Sequence, residues 1–185
     1  MPYTFPPAGV SVFTGRMGED AVLADTVMAP PTVASPMPSV TETYLENRWE
    51  VQPNHSNNFE SAHGGNVMKW MDGIGGLAAM RFAGETCVTA KMGEINFERP
   101  IPTGETVLVH AWVYDAGETS VRVRLETYRE NPRSGETALA TATDATYVAI
   151  DADGAPVTVP DLVVESEEDR RLVEQAQSAA SDGDR

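Results

Sequence analysis

Six residues that could together carry out a reaction stand close together in the stretch NHSNNFESAHGGNVMKWMD, which begins at position 54. They are Asn57, Asn58, His63, Gly64, Gly65 and Asp72. A carboxylate can act as a general base on water, and an amide can orient that water or polarise a carbonyl group. Free N–H groups at the start of a helix stabilise a developing oxyanion, and glycines let a substrate approach them. Spacing alone does not choose between Asn57 and Asn58.

A helix from Gly64 to about Phe82 is predicted to carry Asp72. Its apolar positions recur at 4-3-4 spacing: Val67, Met71, Ile74 and Ala78. Three glycines (Gly73, Gly75 and Gly76) interrupt it, and each costs a helix about 1 kcal/mol relative to Ala. They predict a strip beside Asp72 where a backbone or an extended ligand approaches closely. The alternative is tight helix packing in a dimer, with Asp72 as a satisfied buried acid.

Several other kinds of site are excluded by the pattern. Gly73, Gly75 and Ala78 spell G-x-G-x-x-A, but inside a helix pattern and not at a strand-to-helix turn, so dinucleotide binding is rejected. No Gly-X-Ser-X-Gly motif is present, so the His63-Gly64-Gly65 run is not the oxyanion motif of an α/β-hydrolase. The three histidines (His55, His63 and His110) lack a helical pairing, so no metal site is predicted. His110 is expected in a core or an interface. Cys87 is the only cysteine, so no intrachain disulfide can form, and a packed, inert thiol is expected.

Five segments read as strands. They are TYLENRWEVQP before the helix and, after it, TCVTAKMGEINFE, ETVLVHAWVYDAG, TSVRVRLETYRE and ALATATDATYVAI. The parity of apolar residues switches at Gly93, which predicts a β-bulge there. The third segment is apolar on both parities and is expected to be covered on both faces. The fourth alternates, with Val121, Val123 and Leu125 predicted inward and Arg122, Arg124 and Glu126 outward. Short connections imply antiparallel neighbours, so an α+β, hot-dog domain is predicted: a five-stranded antiparallel sheet wrapped around one long helix.

The two ends of the chain differ from this pattern. Seven of the thirteen prolines lie in residues 1–38, which are predicted to be a disordered extension. The hot-dog domain is assigned to 39–163. Residues 164–185 are assigned to a short helix, begun by a capping box of Ser166 and Asp169, and a frayed tail. No signal peptide or membrane-spanning segment is found in the sequence, and a reducing, cytoplasmic setting is expected.

The charge is strongly negative. With 28 acids and 13 bases, the net charge is -15, and Lys69 and Lys91 are the only lysines. This composition is typical of salt-adapted archaeal cytoplasmic proteins, with an acidic mesophilic protein as the alternative. It disfavours nucleic acid and anionic membranes as partners. Between Lys69 and Arg133, eight bases and nine acids leave -1, so the other five bases and nineteen acids carry -14. A polyanionic ligand docking in the middle would explain this, as would core strands that tolerate few acids.

Four stretches resemble the hot-dog acyl-CoA thioesterases, in the acyl-CoA hydrolase branch. They are NNFESAHGGNVMKWMD, TCVTAKMGEINFERPIPTGETV, DAGETSVRV and ATYVAIDADGAPVTVP, and the likeness covers about residues 42–163. The resemblance implies hydrolysis of fatty acyl-CoA without a cofactor or metal. It also implies a site across a dimer interface, where an Asn of one subunit faces an Asp of the other, and a homodimer at least, commonly a hexamer. The family Asn, six residues before His-Gly-Gly, is Asn57, and the family Asp is Asp72.

The resemblance also implies residue roles. Asp72 acts as general base on water, with direct nucleophilic attack as the alternative; Asn57 positions the water or the thioester, and Gly64 and Gly65 donate to the oxyanion. Candidates for binding CoA are Arg99, Arg122 and Arg124, with Gly117, Thr119 and Ser120 matching a family turn. The family usually has a small residue, often Gly, where this chain has Glu60, whose carboxylate could alter the acyl pocket or serve as an extra base.

Three readings compete with this one. The phenylacetate-type thioesterases share the His-Gly-Gly and the Asp, but VAIDADGAPVTVP favours the acyl-CoA hydrolase branch. A non-catalytic acyl-CoA-binding module is disfavoured by an intact Asn57 and Asp72. A hot-dog hydratase or dehydratase would need a His–acid pair, for which His63 is the candidate.

Overall fold

The computed structural model describes residues 37–183, so almost all of the predicted N-terminal extension lies outside the described residues. The elements are α1 Val40–Thr43, β1 Leu45–Glu50, a 3-10 turn Pro53–His55, α2 Gly64–Ala83, β2 Thr86–Met92, β3 Thr106–Ala116, β4 Ser120–Glu130, β5 Thr137–Ile150 and α3 Glu167–Gly183. Helix α2 ends at Ala83, one residue after the predicted end at about Phe82, and the φ of 70° at Gly84 suits the left-handed cap.

The strands form one antiparallel sheet in the order β1-β3-β4-β5-β2. Helix α2 packs on its concave face. The helix and the sheet share one buried core. It includes Val67, Met71, Ile74, Ala78 and Phe82 from α2, and Val107, Val109, Val113, Val121, Val123, Leu125 and Tyr147 from the strands. Each Val, Leu, Ile, Phe or Met side chain among them contributes about 1.5–3 kcal/mol by leaving water. The predicted five-stranded sheet around one long helix is confirmed.

The convex face of the sheet is covered as well. Trp112 and Tyr114 of β3 are buried against Leu172 and Ala176 of α3, and Val40 completes this cluster. The indole Nε1 of Trp112 donates to the Leu172 carbonyl at 3.1 Å. The prediction that β3 is covered on both faces is therefore confirmed, because α2 lies on one side and α3 on the other.

Helix α3 overturns the exposure expected for β4. Val121, Val123 and Leu125 do face the core, and Arg122 is exposed, but Arg124 and Glu126 retain only 8% and 6% of their exposure. Gln175 of α3 donates to Glu126 at 3.0 Å, and Arg124 lies 3.4 Å from Glu126 and from Asp144. The alternation correctly predicted which residues of β4 face the core. It did not predict that α3 covers part of the opposite face.

The predicted β-bulge is displaced. The register of β2 against β5 shifts between Thr89 and Lys91, and the strand ends at Met92. Gly93 instead lets the chain leave the sheet close to β5: its N–H donates to the Asp144 carbonyl at 2.8 Å, and an added Cβ would lie 3.0 Å from that oxygen. The apolar parity switched because residues 93–98 are not strand.

The C-terminal helix begins as predicted but is longer. Ser166 Oγ accepts from Asp169 N at 2.9 Å, and Asp169 Oδ2 accepts from Ser166 N at 2.9 Å, so the capping box is confirmed. The helix then runs for 17 residues and reaches into the segment that was expected to fray. Within residues 37–183, no helix is long and apolar enough to cross a membrane.

Candidate active site

His63 caps the N-terminus of α2. Its Nδ1 accepts a hydrogen bond from Gly65 N at 3.0 Å, which leaves Nε2 as the protonated ring nitrogen. The N–H of Gly65 is therefore already paired, and the predicted oxyanion role of Gly65 is in conflict with this cap. Gly64 N–H has no acceptor among the described residues and remains the available donor.

In the loop before α2, the side chain of Asn57 is fixed by hydrogen bonds and that of Asn58 is not. Oδ1 of Asn57 accepts from Phe59 N at 2.8 Å and from Ser61 Oγ at 3.3 Å. A backbone N–H can only donate, so this contact fixes which end of the amide is oxygen. Nδ2 therefore carries the two N–H groups of the amide, and neither forms a hydrogen bond with another residue that the structure describes. Asn58 is an exposed turn residue.

A cavity of about 350 Å³ lies between this loop, the start of α2 and the segment before β3. Its lining includes Asn57, Gly64, Val67, Phe97, Arg99 and Ile101. The structure thus brings together the amide, the free helix N–H and one of the three candidate arginines. Asp72 is not among the lining residues.

Asp72 lies eight residues along α2 from Gly64, about 12 Å at 1.5 Å per residue. It is half-buried, and no Lys or Arg of residues 37–179 forms an ion pair with it. Thr89 Oγ1 donates to its Oδ1 at 2.6 Å, and Tyr147 Oη shares its single proton between the same oxygen at 3.4 Å and the Asp72 carbonyl at 3.1 Å. Two hydroxyl groups, and no cation, hold this carboxylate.

Sequence reasoning missed both hydroxyl donors. Thr89 and Tyr147 each stand on a strand rich in hydroxyl residues, and spacing gave no signal that would have singled them out. The glycine strip beside Asp72 also differs from its prediction. An added Cβ at Gly75 would lie 2.2 Å from Tyr147 Oη, so a side chain of this chain occupies the space expected for a ligand, whereas Gly73 faces open space.

The candidate CoA-binding arginines differ in availability. Arg99 is exposed at the cavity, and Arg122 is exposed, 3.7 Å from Asp115. Arg124 is buried between Glu126 and Asp144, which corrects its assignment, because an arginine already paired under α3 cannot meet an incoming phosphate. The turn of Gly117, Thr119 and Ser120 connects β3 to β4, closed by Gly117 N donating to the Ser120 carbonyl at 2.8 Å.

Glu60 has the left-handed backbone that explains the small residue in the resembling family. Its φ is 55°, a conformation that favours Gly, and its carbonyl accepts from Thr103 N at 2.8 Å. Its side chain is exposed and lines neither the cavity nor the surroundings of Asp72 given by the hydrogen bonds.

The remaining candidates behave as packed residues. Burial, with a contribution from Glu85, raises the pKa of the Cys87 thiol to about 11, which fits the inert thiol predicted. His110 lies between Tyr44 and Tyr128, with ring centroids 5.5 and 5.1 Å away, and burial lowers its pKa. Among residues 37–179, no group of three or more acidic, His or Cys side chains is placed to hold a metal ion.

The sequence and the fold are similar to those of a known family. The sequence profile of the thioesterase superfamily matches residues 59–136. An uncharacterized acyl-CoA thioester hydrolase of Bacillus subtilis is 34% identical over 122 residues, covering 66% of this chain and 71% of that protein. Mouse acetyl-coenzyme A thioesterase is 28% identical over 120 residues, and the chain spans only 22% of its length.

Solved structures with a similar fold point to the same family. An acyl-CoA hydrolase from Staphylococcus aureus, in complex with butyryl coenzyme A, has a TM-score of 0.71 at 29% identity, covering 79% of this chain and 89% of that one. An acyl-CoA hydrolase from Bacillus cereus has a TM-score of 0.70 at 27% identity, covering 77% and 87%. The chain belongs to the hot-dog thioesterase superfamily and is a thioester hydrolase.

One correspondence concerns the site itself. Structures of the Staphylococcus aureus enzyme include single Ala variants of an Asn, an Asp and a Thr. In that protein the Asp follows the Asn by 15 positions, and the Thr follows the Asp by 17. Asn57, Asp72 and Thr89 stand at the same two spacings.

Proposed function

We propose that this chain hydrolyses acyl-CoA thioesters to a free carboxylic acid and CoA, with Asp72 as general base. The observation that carries the proposal is the Asp72 carboxylate, held by the Thr89 hydroxyl at 2.6 Å without a cation. The same carboxylate stands at the spacings, from Asn57 and to Thr89, that separate the Asn, Asp and Thr replaced by Ala in the Staphylococcus aureus enzyme. Relatives named as acyl-CoA thioester hydrolases support the substrate class.

The reaction follows from these groups. Asp72 takes a proton from water as the water oxygen attacks the thioester carbon. The negative charge that develops on the carbonyl oxygen is stabilised by Gly64 N–H, at the positive end of the α2 dipole, and by Nδ2 of Asn57. The tetrahedral intermediate then collapses, the C–S bond breaks, and the proton held by Asp72 passes to the CoA sulfur. In the alternative, Asp72 attacks the carbon directly, the C–S bond breaks and the CoA thiolate leaves. Water then hydrolyses the resulting anhydride, which returns the Asp72 carboxylate and supplies the proton for the thiolate.

The site needs two subunits. Within one chain, Gly64 N–H and Asp72 are about 12 Å apart along α2, whereas the water and the oxyanion donors must lie about 3 Å from one thioester group. Asn57 and Gly64 of one subunit would therefore face Asp72 of another across a dimer interface. A hexameric acyl-CoA thioesterase with a TM-score of 0.70 at 29% identity supports a homo-oligomer of at least two chains, and a trimer of dimers is the form we propose.

CoA carries phosphate groups that need cations. Arg99, exposed at the cavity, is the strongest candidate, with Arg122 second, and the turn formed by Gly117, Thr119 and Ser120 is proposed to lie near the CoA. The mechanism requires no metal or cofactor beyond CoA in the substrate, and no nucleic acid or membrane. The acidic surface suits cytoplasm with concentrated salt.

The test is release of CoA thiol from short-, medium- and long-chain acyl-CoAs in concentrated KCl. Asp72→Asn should lower kcat by about 100-fold or more, because a general base typically contributes 10²–10⁴-fold. Asp161→Asn, at an exposed aspartate after β5, is the matched control and should keep full activity. Full activity of Asp72→Asn would refute the role of Asp72. Binding of CoA esters without hydrolysis would identify a binding module, and a product with a new double bond would identify a dehydratase.

A further inference from the structure

The hydroxyl of Tyr147 is a buried polar group that the reaction above does not use. Tyr147 retains 1% of its exposure on β5, and its Oη lies 3.1 Å from the Asp72 carbonyl oxygen and 3.4 Å from Oδ1, so that its single proton is shared between these two acceptors. That carbonyl already lies in the hydrogen-bonded ladder of α2, so it does not require a second donor. A phenylalanine would bury the same ring without having to satisfy a hydroxyl.

Both hydroxyl donors contact one oxygen of the carboxylate. Thr89 approaches Oδ1 from β2, and Tyr147 approaches it from β5, the neighbouring strand. Oδ2 has no hydrogen-bond partner among the residues that the structure describes. The carboxylate is thus held by one side, and its other oxygen is left to the solvent or a ligand.

Helix α2 provides room for the Tyr147 hydroxyl at Gly75. A Cβ at this position would stand 2.2 Å from Oη, 3.0 Å from Cζ of the ring and 3.2 Å from Leu125 Cδ2. Gly in a helix interior costs about 1 kcal/mol relative to Ala. Gly75, three residues after Asp72, therefore lowers the stability of the helix. The space left by its missing side chain is filled by the Tyr147 hydroxyl.

We propose that Tyr147 is a positioning residue for thioester hydrolysis: its hydroxyl, placed in the space at Gly75, holds Oδ1 of Asp72 together with Thr89, so that Oδ2 is the oxygen that takes the proton from water. The inference rests on the proposed function, since it assumes that Asp72 is the base. A fixed carboxylate spends less of its time in rotamers that face away from the attacking water.

The protonation state of Tyr147 agrees with this role. Burial, and then the negative charge of Asp72, raise the pKa of its hydroxyl well above the usual value for tyrosine. The group therefore stays protonated, and stays a donor, over the whole range in which a thioesterase can be assayed.

The test compares Tyr147→Phe with the native chain. The substitution removes one oxygen and keeps the ring, so we expect kcat to fall roughly three- to tenfold, because a hydrogen bond to a charged group is lost. KM should stay within about twofold, because the hydroxyl does not touch the substrate. Tyr128→Phe is the control: that hydroxyl donates to Glu126 at 2.6 Å, under α3, and its loss should leave kcat unchanged.

A double-mutant cycle separates positioning from a general structural effect. If Tyr147 acts through Asp72, Tyr147→Phe should not lower the residual rate further in an Asp72→Asn background. An equal fractional loss in both backgrounds would overturn the proposal, as would an unchanged kcat in the single variant. If Asp72→Asn is fully active, the proposed function itself fails; if only Tyr147→Phe is neutral, the inference alone fails.

Discussion

Thr89 Oγ1 lies 2.6 Å from Oδ1 of Asp72, which makes it the shortest hydrogen bond to the carboxylate. It connects β2, at one edge of the sheet, to the middle of α2. The orientation of the Asp72 carboxylate thus depends on two separate elements, so a change in how β2 packs against α2 would move it.

Replacing Thr89 by Val should lower kcat by about tenfold or more, because Val has nearly the same shape but cannot donate to the carboxylate. Thr89→Ser keeps the hydroxyl and should retain most of the activity. Thr86→Val, at an exposed position on the same strand, is the control for a Thr-to-Val change. Steady-state kinetics on one acyl-CoA would decide the matter, and equal rates for Thr89→Val and Thr89→Ser would contradict the role of the hydroxyl.

Subunits carrying Asn57→Ala and Asp72→Asn should complement each other. Each variant alone is expected to be nearly inactive, but a mixed dimer has one site with both native residues. After co-expression, random pairing makes half of the dimers mixed, so about one quarter of native activity should return. Purification through two different tags would isolate the mixed dimers, which should have about half the native activity. No recovery would mean that both residues act within one chain.

Glu60→Gly should stabilise the fold. The left-handed backbone costs a non-glycine residue about 1–2 kcal/mol, and Gly adds about 0.5–1 kcal/mol of unfolded-state entropy, which leaves a gain of about 0.5–1 kcal/mol. Glu60→Gln keeps the strain and removes only the charge, so its stability should match that of the native chain. Denaturant unfolding measures both. Both variants should hydrolyse acyl-CoA at the native rate; a large loss in Glu60→Gln would identify Glu60 as a second base.

The stability of the fold is expected to depend on pH through the carboxyl group of Asp169. Burial alone would raise its pKa, but hydrogen bonds from Ser166 and Thr41 outweigh it and lower the pKa from 3.8 to about 2. The stabilisation is therefore complete above about pH 4 and is lost as the pH falls from there towards 2. Asp169→Asn should be less stable at pH 7 by about 1 kcal/mol and show a shallower loss below pH 4.

The matched control for Asp169 is Glu167→Gln, which removes a negative charge in the same first turn of α3 without removing a capping hydrogen bond. Its stability should change by only a few tenths of a kcal/mol. Urea unfolding at pH 7 and pH 3 compares the three proteins. The same slope below pH 4 for Asp169→Asn and the native chain would show that other carboxyl groups govern acid unfolding.

The net charge of -15 predicts stabilisation by salt. The screening length falls from about 10 Å at 0.1 M salt to about 3 Å at 1 M, so repulsion among the acidic side chains weakens. Tm should rise by several degrees between 0.1 and 2 M KCl. Sucrose, which favours the compact state without screening charge, is the control. A Tm that responds to sucrose and not to KCl would contradict salt adaptation.

The sequence was enough to predict elements whose signal is local. The 4-3-4 spacing of Val67, Met71 and Ile74 placed α2 within one residue of its observed end, and alternation identified the inward face of β4. The capping box of Ser166 and Asp169 also depends only on neighbouring residues.

What could not be predicted depends on contacts between distant segments. Arg124 carries no sign in its own strand that Gln175 and α3 will bury the surface around it. Likewise, the sequence predicts open space at Gly75, because nothing near it in the chain shows that the fold places Tyr147 of β5 beside it. The hydrogen bond from Gly65 N to His63 was not predicted for a different reason: it is a local contact that a His–Gly–Gly pattern permits but does not require.

The close approach at Gly75 also constrains how the family can diverge. Any side chain at this position would collide with the tyrosine oxygen and crowd the ring carbon that bears it. Relatives with Ala at the position of Gly75 should therefore lack the hydroxyl at the position of Tyr147, whereas those with Gly are free to keep it. Substitutions at these two sites should be inherited together, and such covariation would be visible in a deep alignment as a pair that joins helix and sheet.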